Sequence, residues 1–116
     1  SHFPVLISAT GRCVAAQSNW NRPELERRFK KLHWQQPPEF ETWLAEVDAA
    51  RRDGYAIDDG NYIAGVIVVA ALVNQPAGAP TRAVVAVGLA AQLDDRRRQE
   101  LAQRLRNTAD NLTDLT

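Results

Sequence analysis

Two apolar runs dominate the hydropathy pattern, VIVVAALV at 66–73 and AVVAVGL at 83–89. Both are nearly continuous in valine and alanine, without polar alternation, as in strands covered on both faces, so both are expected at the centre of a sheet. The segment between them, NQPAGAP at 74–80, holds two prolines and a glycine that cannot continue a ladder. It reads as a hairpin loop, which makes the pair antiparallel. A shorter strand is expected from Tyr55, closed by the turn residues DDGN at 58–61.

Helical spacing fills the rest of the chain. Ser8 or Thr10 can cap a helix that begins near Gly11 and carries Cys13, Val14, Ala15 and Ala16. Asn21 stands two residues before Pro23, a favoured first-turn residue, and Leu25, Phe29 and Leu32 follow at helical intervals. After Pro37-Pro38, the positions Phe40, Trp43, Leu44, Val47 and Ala50 form another stripe ending at Gly54, a residue suited to a C-terminal cap. Asp94 can cap a last helix whose Leu101, Leu105, Ala109 and Leu112 lie opposite an arginine-rich face. Helices, three strands and a helix in that order make an α+β fold, an antiparallel sheet with helices packed against it.

Composition narrows the function classes. With 116 residues the chain forms one domain. Fourteen basic and fourteen acidic residues cancel, so no net field draws a phosphate backbone or an anionic membrane, and specific DNA binding by this chain itself is not expected. One cysteine, no secretion signal and no apolar run of membrane-spanning length suit a reducing cytoplasm. The lack of methionine and the start at Ser1-His2 lead us to expect an excised piece of a longer protein. Two isolated histidines, His2 and His33, with one cysteine assemble neither a metal site nor a nucleophile with its base, so no enzyme activity, metal or cofactor is expected.

Individual residues have ordinary readings. Asp58 and Asp59 are adjacent on an extended segment, so their side chains point to opposite faces and cannot share a proton as a catalytic pair. A solvated Asx-type turn linking two strands accounts for them instead. Cys13 reads as a buried inert thiol, the tryptophans and phenylalanines as core, and Arg96-Arg97-Arg98 as a solvated face.

Four ordered segments nevertheless resemble a known family: PVLISATGRCVAA at 4–16, GYAIDDGNYIAG at 54–65, the strand carrying Ala70-Ala71, and Gly88 ahead of AAQLDD. Together they are similar to the effector-binding domain of IclR-type bacterial transcriptional regulators. The resemblance covers roughly the C-terminal two thirds of such a domain and leaves out its opening strands, so a sheet edge is expected to lack a partner. It implies a GAF-like fold, a small-molecule effector, a homo-oligomer (dimer or tetramer) and DNA contact only through a winged helix-turn-helix domain upstream of this chain. It also implies a pocket wall at Ala9, Thr10 and Gly11, with Asp58 facing inward as a hydrogen-bonding contact for a polar group of the effector and Asp59 facing outward. Val68, Val85 and Val87 stand where relatives often place small polar residues. Asn61 and Leu72 replace an acid and a proline. A valine-lined pocket should prefer an effector with an apolar body and one polar end over a small oxo-acid, whose oxygens would be buried unpaired. The alternative is that the valines close the pocket and leave a ligand-free dimerisation module.

Overall fold

The computed structural model describes residues 8–74 and 82–114. Its elements are α1 (Ser8–Gln17), α2 (Arg22–Phe29), α3 (Phe40–Asp53), β1 (Tyr55–Asp59), β2 (Val66–Val73), β3 (Arg82–Leu89), a 3-10 turn at Ala90–Gln92 and α4 (Asp95–Asp114). The strands form one sheet in the order β1-β2-β3, antiparallel throughout. This is the α+β arrangement the pattern predicts. Residues 75–80 of the expected hairpin loop lie outside the described residues, as does the apolar run at 5–7.

Local chemistry explains most element ends. The Asn21 side chain accepts the Glu24 amide at 3.1 Å, with Pro23 in the first turn of α2. Gly54 ends α3 in the left-handed conformation at φ +83°, where a Cβ would be strained and would also meet the Arg106 side chain. Asp94 accepts the Arg97 amide at 2.8 Å and caps α4 as expected. The boundary of α1 differs from expectation. The helix begins at Ser8, three residues before Gly11, so Ala9, Thr10 and Gly11 are helical and not part of a preceding loop.

β2 is the central strand and is packed on both faces. On one face Val68 and Ala70 join Ala9, Cys13 and Ala16 of α1 and Trp43, Val47 and Ala50 of α3. An aromatic group of Phe29, Trp34, Phe40 and Trp43 continues that core outward, with Phe29 and Trp43 ring centroids 5.2 Å apart. On the other face Ile67 and Val69 pack on Ala102, and Ala71 and Val73 on Ala109, both residues of α4. β3 corrects the expectation of a second doubly covered strand. Its α4 side is shielded, Gly88 leaving the room that Leu93 fills, since a Cβ there would lie 2.7 Å from Leu93 Cδ1. On its other side Val85, Val87 and Leu89 are exposed, because α1 and α3 stand over β1 and β2. Continuous apolar sequence therefore does not mean that both faces are covered.

Candidate functional site

The register sets the site. Asp58 pairs with Val68 across β1 and β2, and Val68 pairs with Val87 across β2 and β3, so three of the expected site residues form one row across the sheet. Ala70 and Val85 form the neighbouring row. Alternation along each strand puts all five side chains on the face that carries α1 and α3. The row is graded in cover. Asp58 is fully enclosed, Val68 is nearly so, and Val87 is 69% exposed. Along α1, Ala9 and Gly11 are buried and Thr10 is half-buried. Valine therefore plays different parts at 68 and 87.

Asp58 and Asp59 separate as alternation requires. Asp59 points to solvent, where Arg98 of α4 meets it at 2.8 Å. Asp58 points into the core and accepts three hydrogen bonds. Its Oδ2 accepts from Arg12 Nη1 at 2.8 Å, and its Oδ1 accepts the amides of Asn61 at 3.0 Å and Tyr62 at 3.2 Å. The Asx-type turn and the inward carboxylate are thus one arrangement, in which one oxygen shapes the turn and the other holds α1.

Arg12 and Asn61 complete this centre, and the sequence pattern leaves both without a role. The Arg12 side chain is fully buried. Besides Asp58 it donates to the Ser8 carbonyl at 3.0 Å, to Asn61 Oδ1 at 2.8 Å and to Glu46 of α3 at 3.3 Å. Its Nε has no partner among the described residues, and its guanidinium lies 5.6 Å from the centre of the Trp34 ring. Asn61 in turn donates to the Gln36 carbonyl at 2.8 Å, tying the 58–62 turn to the segment ahead of α3. The periodicity of α1 holds one usable signal. Ser8, Arg12 and Ala16 are spaced by four, so an arginine stands on the buried stripe, but only for a helix starting at Ser8.

This ionic centre joins α1, α3 and the 58–62 turn. Desolvating a guanidinium and a carboxylate costs several kcal/mol per ion, offset only when geometry and extra hydrogen bonds are good, as they are here. With three donors already on Asp58, a ligand group approaching that carboxylate would compete with occupied positions. Cys13, one residue on, donates to the Ala70 carbonyl at 3.4 Å. Burial pushes its thiol from its usual value near 9 up to about 12, against a smaller lowering by Arg12. It is a core residue. Among the described residues no group of His, Cys, Asp or Glu could hold a metal ion, and no helix is long and apolar enough to cross a membrane.

Comparison with known proteins points one way. The model of the bacterial transcriptional regulator IclR C-terminal family matches residues 1–114. The Agrobacterium tumefaciens repressor BlcR superposes with a TM-score of 0.75 at 19% identity over 96% of this chain and 46% of its own. An IclR-type regulator from Alicyclobacillus acidocaldarius gives 0.79 at 19% identity, covering 96% and 45%. The inducer-binding domain of PobR from Acinetobacter, a double mutant solved with 3-hydroxybenzoic acid, gives 0.72 at 21% identity, covering 97% and 66%. The chain thus spans about half the length of the first two relatives. No curated protein sequence matches it significantly. With the family model matching nearly the whole chain, and the shared fold found in regulators of that type, this protein belongs to the IclR C-terminal domain family.

Proposed function

We propose that this domain binds a small-molecule effector and passes its presence to a DNA-binding winged helix-turn-helix domain upstream of the chain in a cytoplasmic regulator. The effector lies on the uncovered part of the site face, against Val85 and Val87, with Val68 behind them and the start of α1, at Ala9, Thr10 and Gly11, at its polar end. The observation that carries this reading is the graded row Asp58-Val68-Val87, closed by an ionic centre at one end and bare at the other. An apolar surface fixes the body of such a ligand, and the free N–H groups of a helix start suit an oxygen at its end. The PobR domain, a neighbour in fold, was solved with a ligand of that type, an aromatic ring bearing a carboxylate.

In this reading Asp58 acts by keeping Arg12, α1 and the 58–62 turn in place. The domain does no chemistry on the ligand. A homo-oligomer in which β3 pairs with a second copy belongs to this reading, supported by the unshielded valines beside an outer edge with no partner among the described residues. A thermal-shift screen of small acids, aromatic acids and amphiphilic metabolites tests the proposal. A ligand that raises the melting temperature and is recovered unchanged is expected. Val87→Ser should move the preference toward smaller, more polar ligands. Identical ligand rankings for Val87→Ser and the parent chain would place the ligand elsewhere or nowhere.

A further inference from the structure

The opposite border of the sheet, the outer edge of β1, also has no strand partner among the described residues and stands in a different chemical setting. The Gly60 amide donates to the Val66 carbonyl at 3.0 Å, which marks that pair as hydrogen-bonded. Hydrogen-bonded pairs recur at every second residue of an antiparallel ladder, so Asp58 opposite Val68 and Ala56 opposite Ala70 are also of this kind. The backbone groups of Tyr55, Ile57 and Asp59 then point away from β2. Tyr55 and Ile57 border a cleft of about 210 Å³ flanked by Glu46 and Asp53 of α3 and Gln99 of α4, with the buried Arg12 at its base.

Charge sets the occupant. Arg12 is neutralised from behind by Asp58, so Glu46 and Asp53 leave the cleft with excess negative charge. The nearby Arg52 meets Asp53 at 3.5 Å with both side chains exposed, a pair that water screens. We propose that the outer edge of β1 accepts an added strand from an extended basic peptide segment, with backbone hydrogen bonds to Tyr55, Ile57 and Asp59 and a lysine or arginine of the partner beside Glu46 and Asp53. Strand addition takes its affinity from the main chain and its selectivity from the flanking side chains. A second copy paired symmetrically through β1 would bring another Glu46 and Asp53 against the first, so like charges oppose that occupant. The inference stands apart from the effector reading, which concerns the other border of the sheet.

The test is a titration of the ¹⁵N-labelled 116-residue chain with the peptide acetyl-Val-Lys-Val-Lys-Val-amide, followed by amide shifts and hydrogen exchange. Saturable shifts and slowed exchange at Tyr55, Ile57 and Asp59 are expected. Binding should weaken by about fivefold or more when alternate peptide nitrogens are methylated and when lysine is replaced by glutamate, and by about twofold or more in Asp53→Asn, an exposed change that leaves the core intact. Equal binding of the methylated peptide would reduce the effect to charge attraction and overturn the proposal. So would the absence of binding, shifts confined to Val85 and Val87, or concentration-dependent protection of the β1 amides without peptide, which would assign the edge to a second copy.

Discussion

β2 and β3 are built from nearly the same residues, VIVVAALV against RAVVAVGL, and their fates differ. In β2 Ile67, Val69, Ala70 and Ala71 are wholly enclosed, while in β3 Val85 and Leu89 are about half exposed and Val87 more so. Neither propensity nor hydropathy separates them. Position in the sheet does, because β2 has a strand on each side and helices on both faces, whereas β3 borders the sheet beyond the reach of α1 and α3. An apolar run records that a strand can be buried. Its neighbours decide whether it is.

Substitutions along the graded row would break or sharpen this contrast. The largest effect is expected at its closed end, where Asp58→Ala leaves Arg12 charged and enclosed and frees two turn amides. A loss of about 3–5 kcal/mol in urea unfolding is expected, enough to threaten folding. The strands themselves should divide next. Val69→Ala, in the enclosed strand, should cost about 2 kcal/mol, while Val87→Ala should stay within about 0.5 kcal/mol by the same measurement. Equal losses at the two positions would mean that β3 is covered in solution.

Smaller effects follow from titration and surface charge. The fold holds the Cys13 thiol neutral up to about pH 12, while the unfolded chain ionises it near 9. Its contribution to stability is therefore complete below pH 9 and is lost as the pH rises toward 12. Disulfide-exchange labelling at pH 9 should be much slower in native buffer than in urea, and comparable rates would show that the thiol is accessible. Asp59→Ala removes only a solvent-facing contact to Arg98 and should cost less than about 1 kcal/mol, a sharp contrast with its neighbour Asp58 in the same unfolding assay.

Much of the site's orientation is legible in the amino-acid sequence. Strand alternation alone separates Asp58 from Asp59, and the same rule sets Val85 and Val87 on one face. The partner of Asp58 is not legible there. Arg12 lies 46 residues away, in a helix whose start is obscured because Ser8 and Thr10 are both acceptable caps and Gly11 invites a loop. Asn61 is intelligible only beside Arg12, where its neutral amide oxygen accepts a hydrogen bond at 2.8 Å.

The amino-acid sequence by itself determined the kinds of element, their order, the caps at Asn21, Gly54 and Asp94, and that the two aspartates face opposite ways. All of these depend on residues within a turn or two of one another, or on the twofold alternation of an extended chain. Only the tertiary structure decided which valine strand is enclosed, that a lone arginine in α1 is buried, and that one carboxylate both shapes a turn and holds a helix. Those outcomes depend on groups distant in sequence meeting at a few ångströms, where the cost of desolvating a charge and the reward of covering a side chain are set by the neighbour that arrives.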